Sequence, residues 1–156
     1  AARVFDVETR ELQISLDHGD MLWSACFSPD GRLLGTGCNG ATARIYEVAS
    51  GKLLHELKHL GTVSSVSFSP DGRHFATGSG DKLARIFEVD SGEAVHQMKH
   101  GALVWSVAFS SDGRRLCTAS GRSAHVYDVA TGELLQEIAH PGSVLSATFS
   151  PDGGLV

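Results

Sequence analysis

Phe68-Ser69-Pro70-Asp71-Gly72 is one of four copies of a single pentapeptide, the others being Phe27 to Gly31, Phe109 to Gly113 with Ser111 replacing Pro, and Phe149 to Gly153. The copies begin 41, 41 and 40 residues apart. A second signature keeps the same spacing: Ala2-Arg3-Val4-Phe5-Asp6-Val7, then Ala43 to Val48, Ala84 to Val89 and Ala124 to Val129. Two unrelated signatures sharing one period exclude the chance recurrence of a common turn, so this is a repeat protein whose period selects its architecture.

Within one repeat, apolar stretches at 63–68, 74–77, 83–89 and 94–98 alternate with turn residues at Pro70-Asp71-Gly72, Gly78 to Asp81 and Ser91-Gly92. That pattern predicts four strands. Pro70 presets the backbone of a turn, Asp71 can bond back to nearby backbone and Gly72 accepts positive φ, so the pentapeptide reads as a hairpin connector. No stretch sustains a 3.6-residue apolar period, and the 18 glycines fall at repeat spacing, which weighs against helical solenoids. Four-stranded units of about 40 to 45 residues are what β-propeller blades require.

The whole chain resembles the WD-repeat family of β-propellers. The landmarks are a His before each first strand (His18, His59, His100, His140), the Phe-Ser-Pro-Asp-Gly turn, and an aromatic-acidic pair closing each third strand (Phe5-Asp6, Tyr46-Glu47, Phe87-Glu88, Tyr127-Asp128). The resemblance implies an all-β propeller of about four blades per chain: a partial blade over 1–18, blades over 19–59, 60–100 and 101–140, and a partial blade over 141–156 complementary to the first. It also implies a buried tetrad of Trp, Ser or Thr, Asp and His in each blade. Every Trp position here is Phe or Tyr, and a Phe ring has no donor. The expected network is therefore reduced to one repeat, His59, Thr77 and Asp81 with Phe87 in the Trp position, since Gly40 and Gly121 stand where Asp81 does.

Charged residues make up 20% of the chain and the formal net charge is −5, which argues against a general phosphate-backbone binder and mildly favours basic partners. No apolar run approaches the roughly 18 residues of a membrane span, and no signal segment opens the chain, so the expected location is intracellular, cytoplasmic or nuclear. Cys26, Cys38 and Cys117 lack metal-ligand spacing and fall in predicted strands, as buried reduced thiols would. Gly35-Thr-Gly-Cys-Asn-Gly40 matches G-x-G-x-x-G but joins two strands, with no helix N-terminus to hold a phosphate; its glycines read as turn residues. Four of the eight histidines sit one per repeat, which disperses them over separate blades instead of around a metal. The third-strand basic positions Arg3, Arg44, Arg85 and His125 read as blade-packing or solvated residues. No catalytic motif is present, so neither an enzyme nor a cofactor is expected.

First strands break strict alternation, because Val63 and Val66 are three apart while Val66 and Phe68 keep period two. A bulge reconciles both with burial and re-aims the residue between them. That residue is Trp23, Ser64, Trp105 and Leu145 in successive repeats, so both tryptophans occupy one blade position. In the resembled family such positions lie on a rim that contacts partner peptides. The candidate partner-binding rim is Met21, Trp23, Asn39, Thr62, Ser64, Leu103, Trp105 and Leu145, with Gly80, Ser120 and Ser143 beside it.

The leading expectation is a non-enzymatic protein-protein interaction scaffold with protein or peptide partners, contacting neither nucleic acid nor membrane directly. Joining the two partial blades gives about four blades, fewer than family members usually have, so a homodimer closing an eight-bladed ring or a piece of a longer ring is favoured over a four-bladed monomer. The alternatives are a self-assembling structural or designed propeller half, a small-molecule or sugar binder, for which no convergent polar pocket is visible, and a corepressor fragment. The last rests on Ser15-Leu16-Asp17-His18 and Thr36-Gly37-Cys38-Asn39, which resemble the fungal Tup-type transcriptional corepressors.

Overall fold

The computed structural model describes residues 1–156 and contains strands and turns only. The strands are β1 (Ala2–Phe5), β2 (Leu12–Leu16), β3 (Leu22–Phe27), β4 (Leu33–Cys38), β5 (Thr42–Glu47), β6 (Leu53–Lys58), β7 (Val63–Phe68), β8 (His74–Ser79), β9 (Leu83–Glu88), β10 (Ala94–Lys99), β11 (Val104–Phe109), β12 (Arg115–Ser120), β13 (Ser123–Asp128) and β14 (Leu134–Ala139). They form three four-stranded antiparallel meanders, β3 to β6, β7 to β10 and β11 to β14, preceded by a two-stranded sheet of β1 and β2. The first strands β3, β7 and β11 pack against one another in series, which sets the blades side by side.

The pentapeptide turn is built as its chemistry demands. Ser69 Oγ donates to Asp71 Oδ1 at 2.6 Å, that carboxylate accepts the Arg73 N–H at 3.0 Å, and Gly72 takes φ of 73°. Ser28 and Ser110 repeat the arrangement, the latter without the proline, so the Ser-Asp pair and the left-handed glycine are sufficient for the turn.

The core lies between the blades, in three clusters. Phe75, Phe68, Val63, Ile45 and Ala43 fill the junction of the first and second complete blades. Leu116, Val104, Val107, Ile86, Ala84 and Met98 fill the next one, while Ala2, Leu16, Leu34 and Tyr46 join the two-stranded sheet to the first complete blade. In the Gly35 to Gly40 stretch only Gly40 is a turn residue; Gly35 and Gly37 lie inside β4. Their role is close approach. A Cβ on Gly35 would come within 2.2 Å of Phe75 Cε2, and one on Gly37 within 2.8 Å of Val63 Cγ1.

The chain ends differ from the expected strands. β1 pairs with β2 alone, and the predicted strand at 144–149 forms no ladder. It lies along β11, with Ser106 Oγ donating to the Ala147 carbonyl at 3.5 Å, and its Ser150-Asp152 turn is formed. A ladder needs a neighbouring strand, and only Leu155 and Val156 follow the turn. Within one chain nothing joins residues 144–149 to β1.

Candidate functional site

Each first strand carries a register shift at the position that the alternation break marks: between Leu22 and Ser24, between Val63 and Ser65, and between Val104 and Ser106. The extra residue is Trp23, Ser64 or Trp105. Bulging lets Val63, Val66, Val104 and Val107 all remain buried while the intervening side chain turns away from the ladder. Trp23 is 52% exposed and Trp105 41%, and Met21 and Leu145 are exposed as well. Trp is among the residue types that most often anchor protein interfaces.

Backbone and side-chain bonds tie the rim loops together. Asn39 N–H donates to the Met21 carbonyl and Gly80 N–H to that of Thr62, each at 2.8 Å. Thr62 Oγ1 donates to Asn39 Oδ1 at 3.0 Å, bridging two blades, and Leu103 lies against Gly80. Ser64 departs from its expected role: its hydroxyl donates to Gly78 O at 3.1 Å and contacts Val104 O, so it locks the second blade to the third. Leu60, 92% exposed beside Thr62, belongs to this surface and was not foreseen. The signal was available, because its counterparts in the other repeats are Gly19, Gly101 and Pro141.

Beneath the rim, the expected network takes a different form. His59 Nδ1 donates to the Leu57 carbonyl at 3.0 Å, leaving Nε2 to accept from Thr77 Oγ1 at 2.9 Å. Phe87 packs edge-on against the ring, with centroids 5.9 Å apart. The same His-Thr pair occurs in the other complete blades, His18 with Thr36 at 2.9 Å and His100 with Thr118 at 2.8 Å, always 18 residues apart. Only the second complete blade adds an Asp to the pair, because Gly40 and Gly121 stand at the Asp81 position in the others. In the third blade Tyr127 OH adds a second donor to His100 Nε2 at 3.2 Å, a bond the Phe87 ring lacks. Burial holds His59 and His100 down at about 4, reinforced by Arg85 beside the first and His125 beside the second.

Asp81 makes no bond to His59. Its carboxylate accepts the N–H groups of Leu60 and Leu83, both at 3.1 Å, and lies 2.8 Å from Arg85 Nη1, a buried contact held by charge because the N–H is not aligned on the oxygen. Burial pushes the Asp81 carboxyl up, but the Leu60 N–H and the Arg85 guanidinium outweigh it and leave it below the ordinary carboxylate value. The first complete blade solves the same loop contact in reverse. There Gly40 replaces Asp81 and Asp20 replaces Gly61, and the Asp20 carboxylate comes within 3.1 Å of where a Gly40 Cβ would be. A Cβ on Gly61 would in turn lie 2.7 Å from the Asp81 nitrogen, so in these two blades the loop pair holds one carboxylate and one glycine, while the third has Ala102 and Gly121. Without an Asp81 counterpart, Arg44 pairs with Glu56 at 3.1 Å, and His125 faces Glu137 at 3.7 Å. Arg44, Arg85 and His125 are thus blade-packing groups, whereas Arg3 is exposed.

The comparisons agree with this geometry. Among solved structures the fold is similar to that of U3-55K and to the WD40 repeats of RRP9, each with a TM-score of 0.79 at 24% identity. The match covers 83% of this chain but 43% and 42% of those chains, so the chain spans less than half their length. A comparison with curated proteins finds no match. The description "WD domain, G-beta repeat" matches residues 10–47, 51–88 and 92–128, each running from a fourth strand to the end of the next third strand. The chain belongs to the WD domain, G-beta repeat family.

Proposed function

We propose that this chain is a non-catalytic protein-interaction module, intracellular, whose rim receives an extended peptide segment across Trp23, Met21, Leu60, Thr62 and Trp105. The observation that carries the reading is the repeated bulge: the same backbone irregularity turns an indole outward in two blades while the flanking residues stay in the core. An apolar surface supplies the anchors, and the net charge of −5 favours segments with basic flanks. Three free cysteines, two of them buried, support a reducing compartment.

Panning a random peptide display library on the chain tests the reading. Enriched peptides are expected to bind in solution and to lose at least about tenfold in affinity on Trp23→Ala with Trp105→Ala, a loss of the size that removing interface aromatics produces. Failure to enrich any binder, or binding indifferent to both tryptophans, overturns it.

A further inference from the structure

The Gly35 to Gly40 stretch ends on Asn39-Gly40, and Asn39 is the only asparagine in the chain. An asparagine followed by glycine carries its own nucleophile, because the glycine nitrogen, with no side chain beside it, can reach the asparagine amide carbon. What holds the two groups decides whether it does. Gly40 N–H makes no hydrogen bond within the protein, and both residues are exposed in the turn between β4 and β5. The Asn39 amide is held through its oxygen, which accepts the Thr62 hydroxyl at 3.0 Å. The four Asp-Gly pairs, at Asp30, Asp71, Asp112 and Asp152, are built the opposite way. There the glycine N–H donates to the carbonyl of the turn serine, at 2.9 Å for Gly31, Gly72 and Gly113 and at 2.8 Å for Gly153. A serine hydroxyl on each of those carboxylates holds it below its ordinary pKa, and a carboxylate anion resists attack.

We infer that Asn39-Gly40 is a self-modification site, where the folded turn assists conversion of the asparagine by water into aspartate and isoaspartate. Gly40 N attacks Asn39 Cγ: the N–Cγ bond forms, the Gly40 proton passes to solvent, the Cγ–Nδ2 bond breaks, and the amide leaves as ammonia. One water then opens the cyclic imide. Opening at Cγ leaves an ordinary aspartate, whereas opening at the backbone carbonyl routes the main chain through Cγ as isoaspartate. No electrons are exchanged. Negative charge gathers on Oδ1 in the first step, and Thr62 already donates to that oxygen. The product carboxylate stands near a second one, since Asp20 Oδ2 lies 3.1 Å from where a Gly40 Cβ would be. Isoaspartate also lengthens the backbone by one carbon, which displaces the Asn39 N–H from the Met21 carbonyl. Both changes fall between Met21 and Thr62, so the reaction alters the charge and shape of the rim slowly and irreversibly. The modification stands on the turn geometry whether or not the rim receives a peptide.

The test is to age the full chain in mildly alkaline buffer, folded and in guanidinium chloride, and to follow the intact chain and its proteolytic peptides by mass spectrometry. Replacement of the amide NH2 by OH is expected at residue 39 of the folded chain, with isoaspartate told from aspartate by backbone fragmentation. The four Asp-Gly pairs should stay free of isoaspartate while the chain is folded. Thr62→Val should slow the folded chain about two- to tenfold, the worth of one neutral hydrogen bond. It should leave the rate in guanidinium unchanged, because the Thr62 hydroxyl meets Asn39 only in the folded chain. Gly40→Ala, which crowds the attacking nitrogen, should slow both states. A folded chain that keeps its amide at residue 39 over the time in which the unfolded chain reacts overturns the inference. Equal rates for the folded Thr62→Val and unmodified chains overturn it as well.

Discussion

Replacing Gly35 with Ala places a methyl group 2.2 Å from Phe75 Cε2, 2.7 Å from Cζ and 3.1 Å from Phe68 Cε2. Ordinary carbon contacts begin near about 3.5 Å, so the Phe75 ring must move by more than about 1 Å. Phe75 is fully buried and packs on Phe68 at a centroid separation of 4.8 Å. Overpacking of this kind costs about 1–3 kcal/mol, against which the strand preference for Ala over Gly returns about 0.5–1. A net loss of about 1 kcal/mol is expected. The next junction supplies the compensating change: Ala76 takes the place of Gly35 there, and its cluster contains Leu116 in the place of Phe75. Combining Gly35→Ala with Phe75→Leu should therefore recover more than half of the loss, although Phe75→Leu alone leaves a void and destabilises. Urea unfolding of the four chains, followed by tryptophan fluorescence, gives the coupling energy directly. Gly35→Ala within about 0.5 kcal/mol of the unmodified chain, or strictly additive effects in the double variant, would refute the packing argument.

Asp81→Ala removes the acceptor of two loop N–H groups and leaves Arg85 buried without its counterion, so urea unfolding should show a loss on the order of 1–3 kcal/mol, larger than for Asp30→Ala in an exposed turn. His59 and His100 titrate at about 4 in the folded chain against an ordinary value of 6.5. The unfolded chain takes up these protons first, so stability is intact above about pH 6.5 and is lost progressively as pH falls towards 4. The His59 share is about 3 kcal/mol at most. A His59→Gln chain should show a shallower decline across that window, and parallel profiles would contradict the assignment. Trp23→Ala with Trp105→Ala should leave the melting temperature within a few degrees, since exposed substitutions usually cost under about 0.5 kcal/mol each. Unfolding of that variant would place the indoles in the core.

Turn chemistry and alternation made the blades legible in the chain itself. The Ser-Pro-Asp-Gly turn acts through local bonds, and the Val63, Val66 and Phe68 spacing can satisfy burial only with a bulge, so both follow from a few adjacent residues. What escaped reading depends on partners far away in the sequence. The Asp20 and Gly40 exchange with Gly61 and Asp81 is invisible until two loops are brought together, and Gly35 looks like a turn residue until Phe75 stands against it. Ser64 has the same chemistry as any exposed serine, and only the approach of the Val104 carbonyl makes it a junction residue. The strand expected at 144–149 fails for a related reason: apolar alternation marks a segment fit for a ladder, but the ladder forms only where a neighbour supplies the other half of the hydrogen bonds.

The rim itself can be watched through its two tryptophans, which give the only two indole N–H signals in the chain. Titrating the uniformly nitrogen-labelled protein with a peptide enriched by panning should shift both the Trp23 and Trp105 indole signals with a single saturation curve. The His59 and His100 ring signals beneath should stay in place. A peptide that binds while both indole signals remain unmoved would contradict the account.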